Sequence, residues 1–130
     1  MSENLDLVRS IYADWRRGEF RRTDWADPEI EFAIVGGPDP GRWHGLGAMA
    51  EGWRGWLAAW DDYRGEADEY RELDDGRVLV LGRISGRGKT SGVDVETEFA
   101  NLMEVRDGAV VALTLYTPRR AAFADLGLRE

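Results

Sequence analysis

Apolar positions recur with a helical period near both ends of the chain and in one central segment, and with the two-residue period of strands between them. Over residues 3–17, Leu5, Val8, Ile11, Tyr12 and Trp15 fall on one side, with Arg9, Asp14 and Arg16 on the other. That is the pattern of an amphipathic helix, capped by Ser2 and ended by Gly18. A polar connector holding Trp25 leads to a short strand at 29–35, a Pro/Gly loop, and a second helix at 45–60. The second helix carries a stripe of Met49, Trp53, Trp56, Leu57 and Trp60. Residues 66–73 alternate weakly and carry many charges, as an edge strand does. Three long strands follow at 76–88, 92–106 and 108–117, joined by the turn GKTSG and by Asp107-Gly108, a strong hairpin signal. Residues 119–127 have helical composition and stop at a glycine.

The strand faces carry more information. From Val93, one face bears Val93, Val95, Thr97, Phe99, Asn101, Met103 and Val105, and the other Asp94, Glu96, Glu98, Ala100, Leu102 and Glu104. The first face is the concave, buried one, so Thr97 and Asn101 are polar residues placed inside it. GRVLVLGRI and VVALTL are apolar on both faces near their centres, and a sheet apolar on both sides must be covered on both. Helices cover one side. A second copy is the simplest cover for the other, giving a two-fold homodimer. The pattern predicts an α+β fold in which a curved sheet wraps around the N-terminal helix and can enclose a pocket.

With 130 residues the chain makes one domain spanning 1–130, large enough for a real core. A net charge of −8 disfavours nucleic acid and anionic membranes as partners. The absence of cysteine removes disulfides, thiolate catalysis and Cys-ligated metals. The first ten residues are polar and no run approaches membrane-spanning length, so a cytoplasmic location is expected.

The order of helix, short strand, Trp-rich helix, long sheet and closing helix is carried by LVRSIYADWRRGEF, ADPEIEF, Trp43-His44-Gly45 and GRGKTSGVDVETEFANLMEVRDGAVVALTLYTPRRAAFADLGL. It resembles the nuclear transport factor 2-like superfamily, and within it the SnoaL-like, polyketide-cyclase-type branch. The resemblance implies a cone-shaped α+β barrel with a curved antiparallel or mixed sheet, an internal pocket, and a homodimer formed through the sheet. No cofactor is expected. In members resembling ketosteroid isomerase the general base falls at the position of Ala33, and the oxyanion-hole tyrosine near Ile11, one residue from Tyr12. Cyclases and epoxide hydrolases of the fold keep aspartates in the last strand, where this chain has Leu115-Tyr116-Thr117-Pro118. The family's usual acids are therefore absent from the matching positions.

His44 is the single histidine, so any imidazole chemistry must use it. It would be the titrating group of a catalytic site in which Asn101 and Tyr116 stabilise developing oxyanion charge. The reaction class would be proton transfer or cyclisation on a polyketide- or steroid-like substrate. Tyr12, Trp15, Trp43, Trp56, Thr97, Phe99 and Met103 are the candidates to line a pocket for a small apolar or aromatic molecule. Each has a plainer reading as core packing, and Asn101 one as a structural hydrogen bond. No spacing supports a metal site. GRGKTSG lacks the first glycine of a phosphate loop, which Arg83 replaces, and it opens no helix. A rival reading is a non-catalytic association module whose cup is filled by its own tryptophans.

Overall fold

A computed structural model describes residues 3–19, 22–36, 40–73 and 76–128. The elements run α1 (Glu3–Arg16), β1 (Ala26–Val35), β2 (Gly41–His44), α2 (Leu46–Ala58), β3 (Trp60–Glu72), β4 (Arg77–Gly88), β5 (Asp94–Arg106), β6 (Ala109–Tyr116) and α3 (Arg120–Leu126). One six-stranded sheet has the order β2-β1-β6-β5-β4-β3. It is mixed: β1 runs parallel to β6, and every other neighbouring pair is antiparallel. The end strands β2 and β3 do not meet, so the curved sheet stays open and does not close into a barrel.

Local sequence explains most of these elements. The helix α1 buries Val8, Ile11 and Tyr12, places Glu3 and Asp6 in its first turn, and keeps Arg16 in its last. Gly18 then takes a φ of 80°, which only glycine adopts freely. Asp107 and Gly108 both have positive φ, the signature of the two-residue turn that joins β5 to β6. Two segments depart from the sequence reading. Residues 41–44 form a strand on β1 instead of a loop, because Trp43 packs inward beside Phe32 while Arg42 and His44 point away. The second helix ends at Ala58, and Trp60 already pairs with Gly88 as the first residue of β3.

The sheet has two apolar faces, as its sequence requires. The concave face packs on α1 and α2 and holds Ile30, Phe32, Ile34, Val80, Ile84, Phe99, Met103, Leu113 and Leu115. On the convex face Leu79, Leu81, Ala100 and Tyr116 are covered by Ala122 and Phe123 of α3. The chain's own closing helix thus supplies much of the cover that the sequence alone assigns to a second copy.

Candidate functional site

The polar centre of the concave face is a pair formed by α1 and β5. Asn101 is 2% exposed and donates from Nδ2 to the hydroxyl oxygen of Tyr12. Its Oδ1 has no partner, although it is fully buried. An amide can turn only one end toward Tyr12, so whichever end that is, the other is left without a partner. Asn101 is one of the residues that line a cavity of about 20 Å³, with Tyr12, Trp15, Trp53, Tyr63, Gly65, Phe99 and Leu115. Room for one water requires roughly 10–15 Å³.

The wall around this cavity is aromatic. Tyr12 stacks on Phe99 with planes 8° apart and meets Trp15 edge-on at 4.9 Å, while Trp15 meets Trp53 at 5.2 Å. Burial pushes the Tyr12 hydroxyl well above its ordinary pKa, and Asn101 only partly offsets it. Burial likewise pushes Tyr63 up to about 12. Both phenols are therefore neutral hydrogen-bonding groups at physiological pH. Neither is poised as a base.

Outside Tyr12 lies a groove of about 360 Å³ between α1 and β3, lined by Arg9, Tyr12, Ala13, Arg16, Gly65, Glu66, Ala67 and Tyr70. Tyr12 and Gly65 belong to both spaces, so they form the partition between groove and cavity. Arg9 lies over the Tyr70 ring, 5.2 Å from its centroid.

His44, Asn101 and Tyr116 do not converge. His44 ends β2 on the opposite side of the sheet from Asn101, exposed, with Nδ1 2.5 Å from Glu31 Oε1 and Nε2 2.7 Å from Glu29 Oε2. Two carboxylate partners make both ring nitrogens donors, which favours the imidazolium and leaves no lone pair for a metal. The hydrogen bonds to Glu31 and Glu29 accordingly raise its pKa. Tyr116 sits in the convex cluster under α3. A register shift in the β5–β6 pairing lies between Glu104 and Val105, so that Val110 points into the concave core while Ala112, Thr114 and Tyr116 point outward. Strict alternation from Val110 does not anticipate that change of side.

Of the other expected lining residues, Tyr12, Trp15 and Phe99 do surround the cavity. Trp43 lies on Phe32, 5.4 Å away, in space left by Gly52, where a Cβ would come within 2.8 Å of the indole. Trp56 and Met103 are fully buried core residues, and Thr97 is half-buried opposite Ile84, toward one end of the sheet. Sequence reasoning missed Trp53, Tyr63, Gly65 and Leu115 in the cavity, and Arg9, Arg16 and Tyr70 in the groove. One signal was available for the groove: Arg9, Ala13 and Arg16 share a face of α1 at spacings of four and three.

An open curved sheet cupped around an N-terminal helix is the nuclear transport factor 2-like architecture. A solved nuclear transport factor 2-like protein of unknown function from Burkholderia pseudomallei superposes with a TM-score of 0.78 at 20% identity, covering 95% of this chain and 97% of that one. Another such protein, from Burkholderia thailandensis, gives 0.79 at 24% identity over 88% and 90% of the two chains. TerC, co-crystallised with polyporic acid, gives 0.74 at 20% identity over 96% and 98%. The sequence pattern of the SnoaL-like domain matches residues 8–113, and the chain belongs to that family. No curated protein matches it. Among the described residues, no helix is long and apolar enough to cross a membrane.

Proposed function

We propose that this SnoaL-like domain binds a small, largely apolar or aromatic molecule in the cup between α1 and the sheet. Tyr12 and Asn101 would supply the polar contacts. The observation that carries this reading is Asn101: an almost fully buried amide with one polar end unpaired, in the lining of a cavity with an aromatic wall. Leaving such an end unpaired costs about 1–3 kcal/mol, a cost that a ligand oxygen or N–H would remove. The Tyr12 oxygen accepts from Asn101, so its own O–H is left to donate. A carbonyl or hydroxyl on a polyketide-like or steroid-like skeleton fits this donor and acceptor pair.

At about 20 Å³ the cavity holds a water, not a skeleton, so ligand entry requires the Tyr12–Trp15–Trp53 wall to move. Among the described residues, no carboxylate or imidazole lines the cavity. Proton transfer or cyclisation would therefore rest on the neutral Tyr12–Asn101 pair stabilising charge on the substrate oxygen. The rival reading, an association module with a self-filled cup, is favoured by the smallness of the same cavity.

Titration with N-phenylnaphthylamine, a neutral polarity-sensitive dye, separates the two. Saturable fluorescence at one dye per chain, weakened by Asn101→Leu, is expected for a ligand site. No saturable signal would support the association module, and unchanged dye binding in a more stable Asn101→Leu protein would remove Asn101 from the site.

A further inference from the structure

The arginines of the groove are not used by the pair inside the cup. Arg9 and Arg16 stand seven residues apart on α1, two turns or about 10 Å along one helix face, flanking Tyr12. Both are exposed. Several other arginines of this acidic chain hold a carboxylate: Arg83 holds Asp68 at 3.2 Å, Arg87 holds Asp94 at 3.2 Å, and Arg119 holds Glu98 at 2.8 Å. Among the described residues no ion pair holds Arg9 or Arg16. Glu66 is the one carboxylate among the lining residues of the groove. Two guanidinium groups outside any ion pair, with a single carboxylate beside them, give the groove a local positive charge in a chain of net charge −8.

Their position gives that site a direction. The groove is about 360 Å³, within the range of small-molecule pockets, roughly 300–1,000 Å³. Its inner wall, Tyr12 and Gly65, is the outer wall of the cavity where the Asn101 amide has an unpaired end. Gly65 presents no side chain at this partition, and β3 is an edge strand of the sheet. Tyr70 fixes Arg9 from below. Burial raises the Tyr70 pKa while the charges of Arg9 and Arg16 both oppose that rise, in keeping with two positive charges near this phenol.

We propose that the groove seats the anionic end of an amphipathic organic acid, with Arg9 and Arg16 gripping a carboxylate or sulfonate while the aromatic body passes Tyr12 into the cup. This rests on the ligand-binding reading and names its substrate class. A guanidinium presents paired N–H groups that match a carboxylate, and the contact is charge-assisted. A neutral ligand with the same body enters the cup but lacks this anchor.

Two dyes that differ by the anion test the idea: N-phenylnaphthylamine and anilinonaphthalene sulfonate. The sulfonate is expected to bind about tenfold more tightly at low salt, an advantage that shrinks as salt screens the arginines. The double variant Arg9→Gln/Arg16→Gln should lose that advantage and keep its affinity for the neutral dye, which also reports that the cup is folded. Arg42→Gln/Arg54→Gln, which removes the same charge elsewhere on the surface, should change neither. Equal sulfonate binding in the groove variant and the wild type would overturn the anion seat while leaving the cup intact. Loss of sulfonate binding equally in both double variants would overturn it in favour of bulk charge. Failure of the wild type to bind either dye would overturn both readings.

Discussion

Replacing Asn101 with leucine removes a buried amide that satisfies only one end, on Tyr12. The variant is expected to be more stable than wild type by about 1–2 kcal/mol in urea unfolding, because the unpaired end no longer loses its hydration. Tyr12→Phe acts in the opposite direction: it strips the amide of its one partner and should cost about 1–3 kcal/mol. Matching stability changes in the two variants would refute the pairing. His44 sits far from this chemistry and gives a pH signature of its own. Its pKa is raised in the folded protein by Glu31 and Glu29, above an unfolded value of about 6.5. The resulting stabilisation is therefore full below about pH 6.5 and is lost as pH rises through the higher folded value. A thermal melt series should show wild type losing stability relative to His44→Gln over that window. Parallel curves would mean that the clamp contributes nothing.

Among the elements, curvature is set where β3 and β4 meet. Gly82 lies opposite Ala67 and Phe99, beside a register shift between Ala67 and Glu69. A Cβ there would stand 2.0 Å from the Glu66 carbonyl oxygen and 2.7 Å from the Phe99 ring. Gly82→Ala must push β3 and Phe99 away, and should cost about 1–3 kcal/mol and weaken dye binding by displacing the cavity wall. A wild-type melting temperature would contradict this packing. The same elements explain how far the sequence was legible. The faces of β5 were plain because six alternating positions from Val95 to Val105 agree, and they put Asn101 and Phe99 inside correctly, whereas Val93, read as the first of that buried face, precedes the strand and is exposed. The register shift before Val105 changes the side that Tyr116 occupies, and no periodicity announces it. Strand β2 was read as a loop because its four residues lie between glycines and prolines, so His44 lost its neighbours Glu29 and Glu31. The groove was invisible for another reason: helical spacing shows that Arg9 and Arg16 share a face, but not that β3 lies across from it.

For the whole molecule, association depends on what α3 leaves uncovered. Leu79, Leu81, Ala100 and Tyr116 are under the helix, and Val93 is the single large apolar side chain left mostly exposed among the described residues, at 59%. Ala33 is buried in the same outward face, and the half-buried Leu102, Ala112 and Thr114 form a narrower strip beside it. The homodimer proposed from the sheet must use that strip. Sedimentation at micromolar concentration tests it: a dimer sensitive to Leu102→Glu is expected, and a stable monomer refutes it.

The central claim is that the space around Asn101 admits a ligand. Proton–nitrogen correlation NMR during titration with the neutral dye tests it most directly. The Asn101 side-chain amide and the indole signals of Trp15 and Trp53 should shift together and saturate at one dye per chain. Shifts confined to surface residues, with those three signals unmoved, would show a cup closed around its own side chains.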